Sequence, residues 1–149
     1  MYEKIIRKID DVIELREELT AIFNTKSPKD MGRFGLLLGK HILDLTKTEP
    51  CIEITSAFDI INRWLEGKAR FQEARQAAFI LHRLAREEKD PIKVKVYRVI
   101  GQIAATPHVK KHVLIATDYA IKIINLKYPN NLEEVRRERE VQIKLMKSL

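Results

Sequence analysis

His108 and His112 stand four residues apart, just ahead of a long apolar run. On a helix this spacing puts both rings on one side, where they could grip a metal ion. The ion would need a third ligand, and no carboxylate lies close to the pair in sequence. His82 or His41 would have to be brought in by the fold. Val109 and Lys110 follow His108, so the zinc-peptidase pattern, with Glu after the first His, is absent. The structural alternative carries more weight. In it His108 helps to cap the helix start and His112 bonds to a neighbouring helix. No cofactor is expected.

Arg75, Gln76, His82, Arg98 and Gln102 interrupt otherwise apolar helical stretches. Buried charges are rare unless paired. With His108, His112 and Tyr119 these residues form a candidate polar seam, either as scaffold or as a ligand site. The competing expectation is that Arg75 and Arg98 run to solvent along their aliphatic stems. The seam is a poor enzyme site: no nucleophile has a partnered base, and acidic groups are scarce around it. No catalytic residue is expected. Cys51 at a helix start could be an activated thiol, although an ordinary packed cysteine is the stronger expectation. Lys93, Lys95, Arg98, Lys110, Lys111, Lys122 and Lys127 give this half of the chain a basic bias. Gathered on one face they could bind phosphates in a salt-dependent way. Neither a phosphate-cradling glycine loop nor interleaved aromatics for single strands are present. Nucleic-acid binding therefore ranks third among the functions considered.

The elements that must position these residues all read as helices. Apolar residues at helical spacing predict helices over 3–23, 30–46, 71–88 and 132–147, with others between. Asp30 is the expected cap of the second, and Pro50 is expected in the first turn of the third. Gly67 stands where a left-handed C-terminal cap is expected. Asp90-Pro91 signals the start of the fifth helix, and Pro107 its end. Gly32, Gly35 and Gly39 predict close approach of a neighbouring backbone to the second helix. The sixth helix, 109–125, is apolar around most of its girth. Its polar residues Lys111, Asp118, Lys122 and Asn125 are assigned to a narrow wet stripe, and the segment is expected at the centre of the packing. The expected fold is all-α, about seven helices in antiparallel pairs, as a compact bundle or a short HEAT-like stack.

A chain of 149 residues with 45% hydrophobic and 33% charged residues suits one folded domain. No apolar run reaches the roughly 20 residues that span a bilayer. The first ten residues lack a signal-peptide core, and Cys51 is the single cysteine. A cytoplasmic location without membrane association is expected. The net charge of +7 comes from 28 basic and 21 acidic residues, interspersed almost everywhere, so a mixed solvated surface is expected.

Three segments in order are fairly specific together. They are the run from Glu73 to His82 (Glu-Ala-Arg-Gln-Ala-Ala-Phe-Ile-Leu-His), the run from Arg98 to Gln102 (Arg-Val-Ile-Gly-Gln), and the run from Ala105 to His112 (Ala-Thr-Pro-His-Val-Lys-Lys-His). With weaker support from Trp64 to Gly67 and from Glu138 to Gln142, the sequence resembles the bacterial Imm5-like immunity proteins over about 33–145. Residues 1–25 fall outside the resemblance. Ile103 departs from it, standing where the family tends to a small residue. The resemblance implies a non-enzymatic helical protein that neutralises a bacterial toxin by direct contact. It assigns no settled role to Arg75, His82, Arg98, Gln102, His108 or His112. A protein partner is therefore the leading expectation, and self-association remains open. A metal or small ligand at the His82, His108 and His112 seam is the alternative.

Overall fold

The computed structural model describes residues 8–149. Seven α-helices follow in order: α1 (Ile13–Phe23), α2 (Pro28–Thr46), α3 (Ile52–Leu65), α4 (Phe71–Glu87), α5 (Pro91–Ala105), α6 (His112–Lys127) and α7 (Leu132–Lys147). No strand occurs among the described residues, and the fold is all-α.

The helix ends follow local chemistry, sometimes displaced from the expected residue. Asp90 accepts a hydrogen bond from the Ile92 amide at 3.0 Å, and Pro91 opens α5. Gly67 takes φ +76° just beyond α3, as its expected cap role requires. The cap of α2 is Ser27 rather than Asp30. Ser27 Oγ accepts from the Asp30 amide at 3.0 Å, and the Asp30 carboxylate accepts from the Ser27 amide at 3.3 Å. That reciprocal pair satisfies two otherwise orphaned donors. Pro50 lies before α3, because Cys51 is the N-cap and Ile52 the first helical residue.

The N-terminal helix is shorter than the apolar spacing suggests. Residues 8–12 are not helical, and residues 3–7 of the expected helix lie outside the described residues. The Asp10 amide donates to Asn125 Oδ1 at 2.8 Å, and Asn125 Nδ2 donates back to the Asp10 carbonyl at 3.1 Å. Lys122 Nζ donates to the Lys8 carbonyl at 3.2 Å. These bonds lay the segment along α6, so Val12 joins Ile121, Ile124 and Val135 in a small apolar cluster. Tertiary bonds replace the helical ones that continuation of α1 would have offered.

Helices α4, α5 and α6 lie side by side with α5 in the middle, and α2 and α3 also pack on α5. Helix α7 packs on α6, α2 and α1. The main partner of α1 is thus α7, not its sequence neighbour α2. In a helical stack each repeat meets only its neighbours. Here α2 touches α3, α5, α6 and α7, which makes a compact bundle. The larger core cluster takes residues from every helix, among them Leu19, Phe34, Ile54, Leu81, Ile100, Ala116 and Met146. Helix α6 is deeply buried and touches α1, α2, α5 and α7, and α2 and α5 are as widely contacted. The centre is shared among the three.

The glycines of α2 admit side chains, not a backbone. A Cβ on Gly35 would stand 2.9 Å from Ile103 Cγ2, and one on Gly39 would stand 2.8 Å from the Phe58 ring. Trp64 occupies the same place at Gly32. Ile103 is therefore seated in a notch that only glycine leaves open.

Candidate functional site

Two polar clusters stand out, and only one was anticipated. The anticipated seam forms in part along α5, where Lys95, Arg98 and Gln102 repeat at helical spacing on one face. Arg98 Nη1 lies 2.8 Å from His82 Nδ1 on α4. A guanidinium can only donate, so this ring nitrogen accepts the bond. His82 is held neutral at pH 7, since burial, then the charges of Arg98, Arg86 and His112, push its pKa down to about 4. The His82 ring lies against Gly101, where a Cβ would meet it at 2.8 Å. Glycine at 101 lets α4 bring that ring down onto α5.

His112, the first residue of α6, has Nδ1 2.8 Å from Gln102 Oε1. The amide oxygen accepts, so His112 Nδ1 carries the proton. Burial, then the His108 charge, lowers the His112 pKa. Tyr119 is half-buried beside these groups. Burial raises its phenol pKa, and Arg98 opposes the rise. Lys95 Nζ stands 5.8 Å from the Tyr119 ring centroid. Burial lowers the Lys95 pKa, and Arg98 and Lys122 push it the same way.

Other expected members fall elsewhere. Arg75 and Gln76 are exposed on α4, with the Arg75 guanidinium 5.1 Å from the Phe79 ring centroid. His108 is not on α6 at all. Pro107 and the bonds from the His108 and Val109 amides to the Ala105 carbonyl turn the chain, and α6 starts only at His112. The His108 ring instead stacks on Phe71 at 5.3 Å between centroids. His108 and His112 thus share no helix face. Among the described residues no three His, Cys, Asp or Glu side chains are placed to hold a metal ion. Cys51 is half-buried and lies against Tyr97, whose phenol pKa is raised by burial first.

The unanticipated cluster is a buried ionic network under α1, α6 and α7. Arg139 is fully buried. It donates to Asp11 through Nε at 3.0 Å and Nη2 at 2.6 Å, and to Asp118 Oδ1 at 2.7 Å. Its Nη1 reaches Thr117 Oγ1 at 3.1 Å and Gln142 Oε1 at 2.9 Å. Arg16 forks onto the same Asp118 at 2.9 and 3.1 Å, and its Nη1 donates to Thr20. Gln142 Nε2 passes the chain to Glu138 Oε2 at 3.2 Å, and Glu138 Oε1 lies 2.8 Å from His41 Nε2. The Glu138 carboxylate, by hydrogen bond and by charge, raises the His41 pKa against burial. Asp118 is fully buried and is the hub of this network, so the expected wet stripe of α6 breaks there, whereas Lys111 is exposed and Lys122 and Asn125 are half-buried. The signal was present in α7: Glu138, Arg139 and Gln142 occupy the same 3–4 spacing as Val135, Ile143 and Met146. Polar residues at core positions call for buried partners.

A family model describing the Imm-5 like putative immunity protein matches residues 21–149. The chain belongs to that family. The match begins inside α1, earlier than the resemblance suggested, and takes in all of α2 to α7. No curated protein and no solved structure matches the chain. Within this Imm-5 like chain, His82, Arg98, Gln102, His112, Asp118 and Arg139 all lie in the matched region, whereas Asp11 and Arg16 lie before it. No helix among the described residues is long and apolar enough to cross a membrane.

Proposed function

We propose that this protein neutralises a bacterial toxin in the cytoplasm by direct contact and without catalysis. Membership of the immunity-protein family carries the reading. The surface chemistry supports it. Phe79 and Ile80, adjacent on α4, are exposed apolar residues, as are Phe71 at the start of that helix and Val109 in the turn before α6. A specific interface needs such a packed centre, with about 800 Å² covered on each partner. The charge of +7 favours a target whose contact face is acidic.

The test uses the toxin encoded beside this gene in its source genome. Mixed at equal concentration, the two proteins should co-elute as a stable complex, and toxin activity should fall in proportion to the added protein. Phe79→Ala should weaken the complex by about tenfold, a loss of roughly 1.4 kcal/mol. A toxin that stays fully active under stoichiometric excess would sink the reading.

A further inference from the structure

The outer face of the α4–α5–α6 layer holds cations, Lys95 and Arg98 on α5, that have no carboxylate partner among the described residues. Lys95 and Arg98 stand three residues apart on α5, Lys95 Nζ lies 5.8 Å from the Tyr119 ring centroid, and burial, then the charges of Arg98 and Lys122, lowers the Lys95 pKa. Five carboxylates occur between Phe71 and Lys127, and each is accounted for elsewhere. Glu73 caps α4 and pairs with Arg63 at 3.6 Å. Glu87 is exposed at the end of α4. Glu88 pairs with Lys93 at 4.0 Å, and Asp90 caps α5. Asp118 is turned inward onto Arg139 and Arg16. No ion pair among the described residues involves Arg98, Lys95 or Lys122.

Arg98 is the focus. It is half-buried, and among the described residues its one hydrogen-bond partner is a neutral imidazole. A guanidinium has five N–H donors in a planar fork. No buried side-chain nitrogen lacks a partner among the described residues, so the remaining donors of Arg98 face solvent. His82 holds the guanidinium by one edge and leaves the rest of the fork free. Like charges gathered in a partly dry place repel, and a bound oxyanion relieves that repulsion.

We propose that the face centred on Arg98 is an oxyanion-binding site for a ligand bearing several carboxylate or phosphate oxygens. Arg98 is its fork, His82 positions Arg98, and Lys95 lines the rim. Neither the cleft lined by Leu15, Glu140 and Lys144 nor the one lined by Asp10, Lys122, Asn125 and Pro129 includes Arg98, His82 or Lys95. This site does not depend on the toxin-neutralising reading.

The experiment titrates the whole protein at low ionic strength with pyrophosphate and, separately, with citrate. The readouts are the NMR signals of the His82 and His112 rings and of the Arg98 guanidinium. Saturable shifts are expected with at least one anion. Saturation by pyrophosphate alone assigns the site to phosphoryl ligands, and by citrate alone to carboxylates. Arg98→Gln should weaken binding by about tenfold or more, the range of one charge-assisted fork. Lys95→Gln, at the rim, should weaken it about threefold and serves if Arg98→Gln does not fold. Arg83→Gln removes the same charge from an exposed position on α4 and should leave the affinity unchanged. Absence of saturation by either anion overturns the proposal. So does equal weakening by the Arg83 and rim or fork variants, which would mark attraction to net charge alone.

Discussion

Arg139 shows how one side chain can hold two helices to the segment that precedes α1. Its guanidinium bonds to Asp11 before α1, to Thr117 and Asp118 on α6, and to Gln142 on its own helix. Arg16 and Arg139 face Asp11 and Asp118, and His41 faces Glu138, so the network balances in charge once His41 takes up a proton. Removing one partner from such a network leaves the others buried and unpaired. Arg139→Ala should therefore cost about 3–5 kcal/mol, measured by urea unfolding. A loss under 1 kcal/mol would mean that water replaces the guanidinium at little cost. Trimming Arg75, which lies exposed over Phe79, should change stability by only a few tenths of a kcal/mol.

Between elements, the contact of α2 with α5 turns on the pairing of Gly35 and Ile103. Glycine costs about 1 kcal/mol relative to alanine within a helix, so Gly35→Ala gains in propensity. The new methyl would stand 2.9 Å from a branched, fully buried side chain that has no room to move. Overpacking of this kind costs roughly 1–3 kcal/mol, which outweighs the gain. Gly35→Ala should lower the melting temperature. Ile103→Ala alone should cost about 2–5 kcal/mol by leaving a cavity. The double variant should cost less than the two added together, because the new methyl fills part of the space that Ile103 vacates. Strict additivity in a double-mutant cycle would show that the two residues do not compete for one notch.

For the molecule as a whole, two histidines set opposite pH limits. The Glu138 carboxylate raises the His41 pKa above its ordinary value. Its contribution to stability is therefore complete below about pH 6.5 and is lost as pH rises through the folded pKa. Burial depresses His82 to about 4 and lowers His112 as well. The unfolded chain then binds more protons between about 6.5 and the folded values, so stability falls as the solution is acidified through that range. The melting temperature should peak near neutral pH. Proton titration by NMR should place His41 above 6.5 and His82 below 5. His41→Asn should flatten the alkaline limb and leave the acid limb in place. The reverse order of the two titrations would show that the assigned surroundings are wrong.

Helix number and type, the stop at Pro107, the start at Asp90-Pro91 and the Gly67 cap were all legible from neighbouring residues. These depend on spacing and backbone chemistry that act within one or two turns. The joining of His82 to Arg98 was half legible, since both interrupt apolar faces, but Arg75 and Gln76 interrupt such faces too and remain in water. Asp118 could not be placed from its neighbours. Its spacing with Lys122 and Asn125 resembles a wet stripe, and the cations that bury it come from Arg16, 102 residues earlier, and Arg139, 21 later. Whether a polar side chain meets water or a counter-charge depends on which distant segment arrives beside it. Local periodicity carries no information about that, and only the packed chain supplies it.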